Sequence, residues 1–96
     1  MPSYRVTLAV GTLAPGAAPD AVLPEAARLV AELTVVEARD VRLLGGQPCA
    51  VVRFEAPEDD VALAVADHAV DGMAATAEIR SAVVTRRDGA RWTPVR

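Results

Sequence analysis

The chain has 96 residues, 52% of them apolar and only 3% aromatic, which suits one small domain, residues 1–96, and is too little for two separate cores. Ten arginines without a lysine stand against thirteen acidic residues, a formal charge of -3, so no overall basic balance exists to hold DNA. One cysteine and one histidine exclude a disulfide framework and the multi-thiolate or paired-histidine metal sites, and no metal or cofactor is expected.

The opening Met1-Pro2-Ser3-Tyr4 carries no basic leader, and no window approaches the roughly 20 apolar residues of a membrane span. A cytoplasmic protein with no membrane partner is the expectation. Tyr4, Val6, Leu8 and Val10 alternate with Arg5, Thr7 and Ala9, the period of a half-buried strand. Gly11, Pro15, Gly16 and Pro19 break that period, and a loop is predicted. A helix over 20–33 follows, started by Asp20 or by Leu23 just before Pro24, with Val22, Leu23, Ala26, Leu29, Val30 and Leu33 on one face.

Residues 34–44 read as an edge strand with a bulge, because 37–42 does not alternate cleanly. A turn over Gly45, Gly46, Gln47 and Pro48 leads into a strand at 49–55, and the two strands make a hairpin. Glu58, Asp59 and Asp60 supply the negative charge that a helix N-terminus favours, ahead of the apolar run 61–73. A fourth strand is predicted over 76–86, and Asp88-Gly89 reads as a two-residue turn returning 90–95 as a short fifth strand, with Trp92 opposite Thr85.

That order of elements is the ferredoxin-like βαββαβ sandwich of the α+β class. Its four-stranded antiparallel sheet has both helices on one face, and a short C-terminal hairpin strand follows. Acylphosphatases resemble the chain in size and plan, but their glycine-rich phosphate loop with its following arginine has no counterpart here. No functional residue is carried over from any such group.

The plan sorts side chains by face. Tyr4, Val6, Leu8, Val10, Ala50, Val52, Phe54, Ala77, Ile79 and Val83 are expected beneath the helices. The open face is expected to carry Arg5, Thr7, Ala9, Cys49, Val51, Arg53, Glu55, Glu78, Arg80, Ala82, Val84 and Arg86, its charges joined by cross-strand pairs. Val51 and Val84, ringed by Arg5, Arg53 and Arg80, then make either a homodimer contact or an anion-binding floor.

His68, flanked by Asp67 and Asp71, and Tyr4 are the candidate proton-transferring groups. Asp60, Asp67, Asp71 and His68 share a helix flank, but they spread over three turns and no loop completes a coordination shell. Cys49 reads as a small apolar residue, and Arg86, Arg87, Arg91 and Arg96 as a basic cluster at the last hairpin. The reading that asks least of these residues is a non-catalytic, homodimeric binding module that meets a protein partner or a small anion. Its alternative is a small cofactor-independent enzyme of the oxygenase or isomerase type, acting on a small organic substrate.

Overall fold

Alternating burial along Tyr4, Val6 and Leu8, each almost wholly enclosed while Arg5 and Thr7 stay partly open, sets the two faces of the sheet. In the computed structural model, which describes residues 1–96, the chain runs β1 (Ser3–Leu13), a 3-10 turn (Pro19–Ala21), α1 (Val22–Ala31), β2 (Val36–Leu44), β3 (Gln47–Glu55), α2 (Asp59–Met73), β4 (Ala77–Asp88) and β5 (Arg91–Pro94). This is an α+β fold. Its strands form one antiparallel sheet in the order β2-β3-β1-β4-β5, in which the expected C-terminal hairpin strand, β5, pairs with β4 as the fifth strand.

Both helices pack on the face carrying Tyr4, Val6, Leu8, Val52 and Phe54. Ala26, Leu29 and Val30 come from α1, and Val65, Ala69 and Met73 from α2. With alanine so frequent, the helices approach closely. At Gly72 an added Cβ would collide with the Leu29 side chain, so a larger residue there would displace Leu29 from its place between α2 and α1. The start of α1 resolves the choice between Asp20 and Leu23: Pro19 and Asp20 form the 3-10 turn and Pro24 occupies the first helical turn, where its missing N–H is harmless.

Three expectations need correction. The first concerns β4, in which Ala9 pairs with Ser81 but Val10 pairs with Ile79, leaving Arg80 as an extra residue. Such a bulge reverses the alternation beyond it. Val84 therefore lies opposite Val6, fully buried in the core, and Ala82 turns with it, whereas Val83 lies opposite Thr7 and is 42% exposed. Arg86 also turns to the helix side, opposite Tyr4.

The second concerns the last hairpin. Its turn residues are Gly89 and Ala90, with Asp88 paired to Arg91, so Trp92 lies opposite Arg87 and Pro94 opposite Thr85. Gly89 has φ 62° and no other residue type in the chain has positive φ, so the turn takes its glycine at the first central position, not the second. The third is local: Gln47 and Pro48 belong to β3, because Gly45 and Gly46, at φ 59° and 78°, complete the turn alone.

Candidate functional site: an arginine-lined sheet face

The face away from the helices has no second layer, yet Ala9, Cys49 and Val51 on it are less than a tenth exposed. Long neighbouring side chains cover them: Arg5 from β1, Arg53 from β3, and Asp40 and Arg42, which β2 sets opposite Val51 and Cys49. Ala38, Arg39, Asp40 and Arg42 join Arg5, Val51 and Arg53 around a shallow concavity of about 170 Å³.

The arginines there are unequally paired. Arg53 Nε donates to Glu37 Oε1 at 3.1 Å, a carboxylate that also accepts from the Ser3 hydroxyl at 2.7 Å. Arg42 Nε donates to Asp40 Oδ2 at 3.3 Å. Arg5 has no such carboxylate. Its guanidinium lies 3.8 Å from the centroid of the Trp92 ring, with that of Arg53 5.4 Å from the same ring. Burial, and then repulsion from Arg42, Arg53 and Arg87, holds the Arg5 pKa below the ordinary guanidinium value.

Of the binding residues expected from sequence, the structure brings together Arg5, Arg53 and Val51 and removes Val84 to the core. Arg80 lies towards another end of the face. It donates to Glu78 at 3.3 Å and to the Gln47 side-chain oxygen at 3.2 Å, crossing Gly11, where a Cβ would meet Glu78 Oε1 at 2.0 Å. The cross-strand pairs expected with Glu55 and Glu78 are replaced by Arg53 with Glu37 and by Arg80 with Glu78 on its own strand.

Arg42, Arg87 and Trp92 belong to the site and were not singled out for it by the sequence. The signal available was the parity of Arg42 with Cys49 across the β2–β3 hairpin. The basic cluster at the last hairpin disperses: Arg86 pairs with Asp59 and Asp88, Arg96 with Asp67 at 2.8 Å, and Arg87 donates to the Gly89 carbonyl.

The candidate proton-transferring groups lie elsewhere. His68 Nε2 is 2.9 Å from Glu32 Oε1 in an exposed contact between α2 and the end of α1. The Tyr4 hydroxyl donates to Asp59 Oδ1 at 2.7 Å, and Arg86 Nη1 donates to both oxygens of the same carboxylate, at 2.9 and 2.8 Å. Burial first, and then Asp59, pushes the Tyr4 pKa to about 12, so near neutrality its hydroxyl is a donor and not a base.

An apolar recess of about 240 Å³ opens between the start of α1 and the ends of β1 and β3, lined by Val10, Leu13, Val22, Leu23, Val41 and Ala50 among others. Neither His68 nor Tyr4 borders it. No helix is long and apolar enough to cross a membrane. No protein-family model, curated protein or solved structure matches the chain.

Proposed function

We propose that the protein is a non-catalytic binding module whose open sheet face takes an anionic group. Arg5 carries this reading: a guanidinium held on an indole, with three further arginines acting on it and no carboxylate of its own. A bound anion would relieve that repulsion and accept charge-assisted hydrogen bonds from a planar fork already fixed in orientation. In architecture we read β2-β3-β1-β4 as a ferredoxin-like plan extended at one edge by β5. A cytoplasmic setting accords with the single free thiol, Cys49.

Homodimerisation through this face has less to support it. Two such faces in contact would oppose arginine to arginine, and Val84 is not there to contribute, so a dimer of this kind would need a bridging anion. The enzymatic alternative has the apolar recess in its favour, but no residue with the proton-transfer role assigned to His68 or Tyr4 reaches that space.

Trp92, the sole tryptophan, reports directly on Arg5. Titration with inorganic pyrophosphate at low ionic strength is expected to give a saturable change in Trp92 fluorescence. Binding should weaken as salt rises and be lost in Arg5→Gln. A fluorescence change that chloride reproduces at equal ionic strength, or that Arg5→Gln retains, would overturn the reading.

A further inference from the structure

We propose that β2 is the interface of a homodimer in which two copies pair antiparallel, edge to edge, and join their five-stranded sheets into one. The inference does not rest on the anion reading, although Asp40 and Arg42 of β2 also border that concavity. β2 is nine residues long and has β3 on one side only, whereas the opposite edge is the four-residue β5. Long edges are usually blunted by proline, charged side chains, bulges or a covering segment. β2 has a bulge at Glu37, but from Ala38 to Leu44 it pairs with β3 without interruption and has no proline or lysine. It leaves Val41, Leu43 and Leu44 more than half exposed, and its charges at Asp40 and Arg42 are of opposite sign.

The hairpin turn decides which backbone groups face outward. With Gly45 and Gly46 both at positive φ, Leu44 and Gln47 close a two-residue loop and form a hydrogen-bonded pair. Alternation from that pair aims the N–H and C=O groups of Leu43, Val41 and Arg39 away from β3. The Val41 N–H accordingly donates to no strand and is taken by the Asp40 side chain, Oδ1 at 2.9 Å.

A two-fold axis at Val41 satisfies the side chains as well as the backbone. It sets Val41 opposite Val41 of the second copy, and Asp40 opposite Arg42 on each side of the axis, in the non-hydrogen-bonded positions where side chains lie closest. Asp40 and Arg42 now pair within their own strand at 3.3 Å, so both need only reach across instead of along. Sliding the axis by one residue to Asp40 or to Arg42 sets Asp40 against Asp40 or Arg42 against Arg42. Sliding it by two to Arg39 or to Leu43 sets Asp40 against Ala38 or Arg42 against Leu44, so both ion pairs are lost in every case. Charge complementarity thus selects a single arrangement.

On the helix side of the sheet, Leu43 of the second copy falls opposite Arg39. There it meets the groove between α1 and β2, a space of about 370 Å³ in which Pro24, Ala27, Ala31 and Val36 are flanked by Arg28, Glu37 and Arg39. The exposed leucine and the uncovered groove are brought together by the register that the charges choose.

The test is the solution mass by sedimentation equilibrium over a wide concentration range, with circular dichroism confirming the fold of each variant. The wild type is expected at twice 10.0 kDa, about 20 kDa. Asp40→Arg and Arg42→Asp each replace two attractive pairs with two repulsive ones, and each should weaken association by about tenfold or more. The double swap should restore it. Val41→Pro removes an outward N–H without touching the β3 ladder and should give a folded monomer. A wild type that stays at 10.0 kDa, a dimer indifferent to the single swaps, or a double swap that does not recover would each refute the β2 interface.

Discussion

Replacing each of two adjacent valines with alanine tests the bulge at Arg80. Val84 is fully buried opposite Val6, and Val84→Ala removes two methyl groups from a filled core. At about 0.8 kcal/mol per group the lost transfer energy is about 1.6 kcal/mol, and an unrelaxed cavity of order 50 Å³ at about 24 cal/mol per Å³ adds about 1.2. Partial collapse of the site brings the expected loss to about 2–3 kcal/mol. For a domain of 96 residues that corresponds to a fall in Tm of about 10–20 °C. Val83, 42% exposed on the opposite face, should lose less than about 0.5 kcal/mol in Val83→Ala. Urea and thermal unfolding followed by far-UV circular dichroism measure both. If Val83→Ala cost as much as Val84→Ala or more, β4 would alternate straight through Arg80 and the assignment of the two faces would fail.

Tyr4→Phe keeps the ring stacked near Phe54, at a centroid separation of 6.0 Å, and deletes only the hydroxyl that donates to Asp59. It should cost about 1–2 kcal/mol in urea unfolding, and an unchanged midpoint would show that the bond contributes nothing. The acid limb follows from the same cluster. The Tyr4 hydroxyl and then Arg86 hold the Asp59 pKa below the usual 3.8, and Arg86 does the same for Asp88. Because the folded values are depressed, the stabilisation is complete above the unfolded value of about 3.8 and fades as pH falls through the folded ones. Arg86→Gln should therefore lower the urea midpoint near neutrality and flatten its decline in acid; parallel pH profiles for the two proteins would contradict this. Gly46→Ala forces an alanine to φ 78° in the β2–β3 turn and should destabilise by about 1 kcal/mol, as read from the thermal midpoint.

The local features of the fold were legible because local chemistry writes them. Tyr4, Val6 and Leu8 alternate as a strand must, Gly45-Gly46 marks a hairpin, and three acidic residues ahead of Val61 announce α2. The bulge left no such mark. Arg80 has neither a glycine nor a proline beside it, and the alternation of 77–84 reads equally well with or without a skipped residue. The ion pairs were hidden for another reason: Arg53 meets Glu37 from the neighbouring strand, and Arg5 meets Trp92 across the sheet, and such meetings depend on registers that side-chain periodicity does not specify.

That one skipped residue links the stability of the domain to the character of its open face. An uninterrupted β4 would place Val84 and Arg86 on the same face as Arg5. The bulge instead turns Arg86 to the helix side opposite Tyr4, where its guanidinium joins Asp59 at the start of α2 to Asp88 at the end of β4. Asp59 is thereby committed to Arg86 and Tyr4, and the row of β4 beside Arg5 is left with Thr85, a residue without charge. The charges that act on Arg5 are then those of Arg42, Arg53 and Arg87 alone. The carboxylates of β2 do not neutralise it, because Glu37 is engaged by Arg53 and Asp40 by Arg42. Deleting Arg80 would remove only the extra residue, leaving Ser81 opposite Ala9 and Ile79 opposite Val10, so Arg86 should stay on the helix side with Asp59. The urea midpoint and the anion affinity should both change little, and a variant that lost both would refute the assignment of Arg80 as the skipped residue.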